Sequence, residues 1–156
     1  MAWWEVSSMR KGFTLLEILV ALGILLLLGS FTIAAFSNYV KRSLLNEART
    51  KIISEINYAR SQTLASEDKS SWGIHFESGR IVRFKGSAYS PADPSNQELL
   101  MPRGTTISSI SLGGPQDIIF GRLTARASAQ GTLIIQLTAE PAASTTIQIY
   151  ASGIAE

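Results

Sequence analysis

Apolar residues follow one another almost without interruption from Phe13 to Phe36, and Glu17 is the only charged residue among them. As a helix, this block would be about 36 Å long, at roughly 1.5 Å per residue. The hydrocarbon core of a bilayer is about 30 Å thick, and roughly 20 helical residues are needed to cross it. The pattern therefore predicts a membrane-spanning helix, and it leaves the carboxylate of Glu17 to be explained.

Beyond Phe36 the apolar residues recur every three or four positions, which predicts one face of an amphipathic helix. This face comprises Val40, Leu44, Ala48, Ile52, Ile56, Ala59 and Thr63. No proline or glycine occurs between Ser30 and Gly73. We therefore predict one continuous helix from about Phe13 to about Ser66, with its first half in lipid and its second half packed under a globular head.

From Trp72 onward the period of the apolar residues changes to two, which predicts strands. The sequences WGIHFE and RIVRFK, joined by Ser78-Gly79, form a predicted hairpin. Gly86–Gln97, with two prolines and no apolar run, is a predicted surface loop. Further predicted strands are Thr105–Leu112, Asp117–Phe120, Gly131–Thr138 and Thr145–Ala151. The predicted fold class is α+β: a long N-terminal helix, half transmembrane and half amphipathic, packed on an antiparallel, β-rich head.

The composition excludes several kinds of chemistry. The chain has no cysteine, so thiol catalysis, disulfides and cysteine-based metal sites are excluded. Its single histidine, His75, lies on a predicted strand without the partners that a catalytic triad or a metal site requires. The sequence contains no phosphate-binding loop, nucleophile elbow or zinc-protease motif. The net charge of +2 is too small to indicate nucleic acid by itself. We therefore predict no enzyme activity, no cofactor and no metal.

Three interpretations compete for the N-terminal segment. A secretory signal peptide has a short apolar region and a small-residue cleavage site after it. Here the apolar block is too long, and no clear A-x-A site follows. A plain signal anchor fits the length of the block but leaves Glu17 unexplained. The third interpretation places a cut before the apolar block, between Gly12 and Phe13.

The sequence RKGFTLLE, residues 10–17, supports the third interpretation. It resembles the cleavage and methylation motif of type IV prepilins and type II secretion pseudopilins. The resemblance implies that a prepilin peptidase cuts after Gly12 on the cytoplasmic face, and that the new terminus, Phe13, is N-methylated. Glu17 is then the fifth mature residue, where the family has a glutamate that functions in assembly.

The leader that this motif implies is residues 1–12, with Arg10 and Lys11 as its basic residues. Translation from Met1 or from Met9 would give the same mature protein. Because basic residues flank both ends of the apolar block, charge alone does not set the orientation. The resemblance implies a cytoplasmic N-terminus, with the rest of the protein outside.

The C-terminal part also contains family-like stretches. These are NYARSQTLAS at the helix end, the hairpin opening WGIHF, the stretch IIFGRLTARASAQGTLIIQL and the closing TTIQIYASGIAE. Together they resemble the H-type minor pseudopilins, the GspH/FimT-like group. Major pilins often have a helix-breaking proline where this chain has Ala34, which favours a minor subunit. The implied organisation is a leader at 1–12, a transmembrane and assembly helix half at 13–36, an amphipathic helix half at 37–70 and a β-rich head at 71–156.

These features imply a non-catalytic structural subunit, a minor pseudopilin or minor pilin of a type II secretion pseudopilus or a type IV pilus. The implied partners are other pilin or pseudopilin subunits, the prepilin peptidase and an inner-membrane assembly platform. The implied location is the bacterial inner membrane, as a single-pass protein, and then an extracytoplasmic filament. The alternative is a filament-displayed DNA receptor, with Arg83 and Lys85 on one strand face as candidate contacts. For the basic residues of the head we prefer the simpler interpretation of scattered, solubilising charge.

Overall fold

The computed structural model describes residues 12–156, except the side chains of residues 31–35. Between Tyr39 and Val40 the chain divides into two compact units. The one long helix, α1, is Leu15–Leu64, and a 3-10 turn follows at Glu67–Lys69. The strands are β1 (Trp72–Phe76), β2 (Arg80–Lys85), β3 (Gln97–Leu100), β4 (Thr105–Ser111), β5 (Asp117–Ile119), β6 (Gly131–Leu137) and β7 (Ser144–Ile149). The predicted helix is confirmed to within two residues at each end, and so is the α+β class with antiparallel sheets.

In the first unit the helix exposes its apolar side chains wherever the structure describes them. All the side chains from Gly12 to Ser30 are exposed, and so are those of residues 36–39. Leu15, Leu19 and Leu26 leave 82%, 65% and 76% of their surface accessible. Within residues 12–156, with the side chains of 31–35 left aside, no helix reaches the combination of length and hydropathy needed to cross a membrane.

In the second unit α1 buries one face in the core. The fully buried positions of this face are Ala48, Ile52, Ile56, Ala59 and Thr63. The predicted face is therefore confirmed from Ala48 onward but is wrong at its start, where Val40 is exposed and Leu45 is buried instead of Leu44. Leu44 is half-buried and packs against the edge of the core, so the buried face begins at Leu44 and Leu45, one turn after Val40.

The end of α1 is tied to the first strand by Thr63. The Thr63 Oγ1 donates a hydrogen bond to the Ala59 carbonyl at 2.9 Å and accepts one from the Trp72 backbone N–H at 3.0 Å. Ser66 follows the helix with a left-handed backbone, φ 53°, which is how helices commonly end. A buried hydroxyl thus sets the position at which the helix ends and the sheet begins.

Two antiparallel sheets provide the rest of the core. The four-stranded sheet has the order β3-β2-β1-β5, and the three-stranded sheet has the order β4-β6-β7. The predicted hairpin of β1 and β2 is confirmed, with Phe76 opposite Ile81. Side chains alternate along a strand, and one face of each sheet contributes to the same buried cluster as α1, with Ile74, Ile118, Leu133 and Ile147 among its members.

One strand, β3, was not predicted from the sequence. Gln97–Leu100 forms β3 at the edge of the four-stranded sheet, where the sequence predicted a loop up to Gln97. It has four residues, and only Leu99 among them is half-buried, so its alternation is too short to recognise. The remaining predicted strands match β4, β5 and β6 to within one residue and β7 to within two.

We expect Ile52→Asp to destabilise a fragment of residues 40–156 by at least about 3 kcal/mol, because it places an unpaired charge in a fully buried position. Ser54→Asp, an exposed position on the same helix, is the matched control and should change stability by less than about 0.5 kcal/mol. Urea unfolding followed by circular dichroism measures both. Equal stability of the two variants would contradict the buried helix face.

Candidate processing and assembly site

The first turn of α1 is closed by Thr14, the residue before the helix. The Thr14 Oγ1 accepts a hydrogen bond from the Glu17 backbone N–H at 3.2 Å, and the Thr14 carbonyl accepts one from the Ile18 N–H at 3.2 Å. Thr14 is therefore the N-cap, and Glu17 occupies the third helical position, as in the capping pattern T-x-x-E. Sequence reasoning missed this role, although the spacing of Thr14 and Glu17 was sufficient to find it.

The helix capping also places the carboxylate of Glu17 where a negative charge is favourable. Glu17 is in the first turn of α1, and the exposed N–H groups of that turn carry partial positive charge. The capping hydrogen bond comes from the backbone of Glu17, so it leaves the side chain available. Within the part of the chain that the structure describes, no side chain forms an ion pair with this carboxylate.

The predicted cleavage point lies just before this cap, in irregular structure. Gly12 and Phe13 are both exposed, and Phe13 leaves 79% of its surface accessible. A Cβ added at Gly12 would have no atom within 4 Å among the described residues. Packing in the described chain therefore does not require a glycine there. The basic leader residues, Arg10 and Lys11, lie outside the described residues.

Thr14 and Glu17 are the polar side chains at the start of an otherwise apolar helix. Glu17 is one helical turn from Phe13, and the residues between and after them are exposed Leu15, Leu16 and Ile18. A carboxylate beside so much exposed apolar surface would have few water molecules around it once that surface is covered. Its natural complement is then a positive charge at short distance.

A comparison with protein families identifies this segment. Residues 7–33 match the family model described as the prokaryotic N-terminal methylation motif. The match supports the type IV pilin and pseudopilin class. It spans Gly12, Phe13 and Glu17, and it implies a pilin or pseudopilin subunit that a prepilin peptidase processes. Pilin-type proteins with this motif are structural rather than catalytic. Neither a curated protein nor a solved structure matches the chain.

The two candidate nucleic-acid contacts lie in the head and have partners there. Arg83 is buried: its Nη1 donates to the Glu55 Oε2 at 2.6 Å, its Nη2 donates to the Gln97 side-chain oxygen, and its guanidinium lies 4.2 Å from the centre of the Tyr58 ring. The Lys85 Nζ forms an ion pair with Asp68 at 2.8 Å. These contacts link β2 to α1 and to the turn after it, so they account for both residues by packing within the head.

We expect Gly12→Leu to abolish cleavage without affecting folding, because the described structure has open space at this position while a peptidase must approach the backbone closely. Mass spectrometry of the membrane-extracted protein should find wild type beginning at methylated Phe13 and the variant uncut. Gly23→Leu, which also meets open space, is the matched control and should be cut normally. Normal cutting of Gly12→Leu would contradict the assignment of the site.

Proposed function

We propose that this protein is a non-catalytic minor pseudopilin or minor pilin, most similar to the H-type minor pseudopilins. After cleavage at Gly12 it joins a type II secretion pseudopilus or a type IV pilus through the first half of α1. The single observation that carries the proposal is the geometry around Glu17. It is an exposed carboxylate in the first helical turn, one turn from the position where cleavage creates an amine, on an otherwise apolar stretch of helix.

The charge of Glu17 explains why the new amine matters. Insertion of an ionised carboxylate costs about 2.5–3.5 kcal/mol at the centre of a membrane helix and less near the interface. Near the first turn Glu17 lies close to the cytoplasmic interface, so the cost before assembly is modest. When a neighbouring subunit covers the surrounding leucines, a positive amine at its Phe13 compensates the carboxylate in a medium of low polarity, where the attraction is strong. The amine of the same chain is a partner before assembly.

The apolar surface of the first unit supports the same proposal. A contiguous apolar surface of this extent is rare on soluble monomers and indicates a lipid or protein contact. We propose that lipid covers it first, in a single-pass arrangement with the N-terminus cytoplasmic and the head outside. Helices of neighbouring subunits then replace the lipid in the filament.

The proposed partners follow from these steps. The prepilin peptidase acts on Gly12 and methylates Phe13, an inner-membrane assembly platform moves the mature subunit, and other pilins or pseudopilins receive it. The genes beside this one distinguish the two filament systems: secretion outer-membrane and pseudopilin genes indicate a pseudopilus, and a retraction ATPase with competence genes indicates a pilus.

We expect Glu17→Ala and Glu17→Gln to be cut after Gly12 but to reach filaments about tenfold less than wild type, which corresponds to the loss of about 1.4 kcal/mol of assembly free energy. Glutamine retains the shape and loses the charge, so the two variants should be similarly poor. Quantitative immunoblots of sheared filaments and of membranes measure incorporation.

Glu47→Ala is the matched control, since Glu47 is an exposed carboxylate on the second half of the same helix. It should assemble like wild type. If Glu17→Ala also assembled like wild type, charge pairing would not be the function of Glu17. If Glu17→Ala accumulated uncut, the carboxylate would serve recognition by the peptidase instead.

A further inference from the structure

The head has an open cleft of about 700 Å³ beside β5, the edge strand of the four-stranded sheet. Ile118 faces the core, so the alternation of β5 directs Asp117 and Ile119 outward into this cleft. The start of the loop after β2 forms one wall, and the turn Gly113–Pro115 forms another. The volume is within the range of about 300–1,000 Å³ that ligand sites usually have. Nothing in the proposed filament role uses this cleft.

A connected set of rings supports the Asp117 side of the cleft. The His75 Nδ1 shares a hydrogen bond with the Asp117 Oδ1, and the His75 ring stacks on Tyr89 with 4.0 Å between centroids. Tyr89 also contacts Phe84, with 5.6 Å between ring centroids. The Phe84 ring in turn lies over Gly73, where an added Cβ would come within 2.5 Å of it. The carboxylate of Asp117 is therefore held in place by side chains that are themselves fixed by packing, as preorganised binding groups are.

The acidic group of the cleft is Asp117, whose Oδ1 already pairs with His75. Its second carboxylate oxygen accepts no hydrogen bond from the described residues. Asp117 is the only charged residue among those that line it, and its side chain remains 21% accessible. Glu77, on the other side of His75, is neutralised by Arg80 through hydrogen bonds of 2.7 and 3.0 Å. The polar groups that remain in the lining are the hydroxyls of Ser87 and Ser128 and the amide of Gln130, all uncharged. The second oxygen of Asp117 is therefore available to accept a charge-assisted hydrogen bond from a cation.

The other residues that line the cleft indicate which kind of molecule carries the cation. The half-buried Ile119 and the exposed Pro115 provide apolar surface, which suits the methylene stem of a lysine or arginine. Gly113, Gly114 and Ala129 have little or no side chain, so a backbone can approach closely there. Apolar floor, accessible backbone and one carboxylate together match an extended peptide segment with a basic side chain.

We propose that this cleft binds an extended segment of a partner protein through a lysine or arginine side chain, whose charged end pairs with Asp117. His75 and Tyr89 are positioning residues: His75 holds Asp117, and Tyr89 stacks on His75. The role does not depend on Glu17 or on filament assembly.

The test uses the full-length protein in neutral detergent micelles and four blocked tetrapeptides, acetyl-Ala-Leu-X-Ala-amide, with lysine, arginine, norleucine or glutamate at X. Titrations are followed by the backbone amide NMR signals of Gly113, Gly114 and Ser128. We expect saturable shifts of these signals with lysine and arginine, and affinity lower by about tenfold or more with norleucine, as expected when a charge-assisted hydrogen bond is lost. The glutamate peptide should not bind.

Variants of the cleft give independent readouts. Asp117→Asn retains the acceptor for His75 and should lower lysine-peptide affinity by about tenfold or more with little change in Tm. Glu47→Gln removes an equal charge elsewhere and should bind like wild type. Gly114→Trp should block the cleft, since a side chain there meets open space and no strained backbone, and Gly79→Trp is its matched control in the hairpin turn.

Three results would overturn the proposal. In one, the norleucine peptide binds as tightly as the lysine peptide. In another, Asp117→Asn or Gly114→Trp binds the lysine peptide like wild type while remaining folded. In the last, n-butylamine alone binds as tightly as the lysine peptide, which would show that the cleft takes a free amine and not a segment. Normal filament assembly by Gly114→Trp would leave the proposal intact, because the two roles use different residues.

Discussion

The first half of α1 combines exposed apolar side chains with one carboxylate, Glu17, near its start, and these two features require different surroundings. From Leu15 to Ser30 and at residues 36–39, the side chains of α1 are exposed and enter no core. Water is a poor environment for those side chains, and an apolar medium is a poor one for Glu17. The surroundings that suit both the apolar side chains and Glu17 are apolar along the helix and offer a positive charge near its first turn. In the proposed function, the N-terminal amine that cleavage after Gly12 would release is such a charge.

The cap by Thr14 adds a second, local reason for a glutamate at this position. The same residue type favours the start of a helix through its charge and through the T-x-x-E spacing. This contribution operates within one chain and does not need a neighbour. It gives a reason for a carboxylate in a single chain, whereas the proposed compensation by an amine would give a reason for it after assembly.

The head must be stable without disulfides, since the chain has no cysteine. It achieves this by burying one face of α1 against both sheets and by the Thr63 hydroxyl, which joins the helix to β1. The ion pair of Arg83 with Glu55 joins β2 to α1, with the Arg83 side chain buried and that of Glu55 26% accessible. Such pairs add little net stability but are costly to break, so this one favours a single arrangement of β2 against the helix.

The sequence was sufficient to predict the elements in which the pattern of apolar and polar residues is long. The long apolar block followed by a stripe of period 3.6 predicted both ends of α1 to within two residues, and short runs with a period near two, bounded by turn residues, located β1, β2 and β6. It was insufficient for β3, an edge strand with little burial, and for the start of the helical face, where Leu45 replaces Leu44. It also placed His75 on a strand without revealing Asp117 as its partner. That contact joins residues 42 positions apart, and only the pairing of β1 with β5 brings them together.

The central claim is that the Glu17 carboxylate contacts the N-terminal amine of a neighbouring subunit in the assembled filament. A hydrophobic carbodiimide measures this directly, because it joins a carboxylate to an amine that touches it and otherwise leaves a stable adduct on the carboxylate. Applied to intact filaments and followed by mass spectrometry, it should yield a peptide in which Glu17 is joined to the terminal residue of another subunit. A filament in which the reagent modifies Glu17 but joins it to no amine would contradict the account.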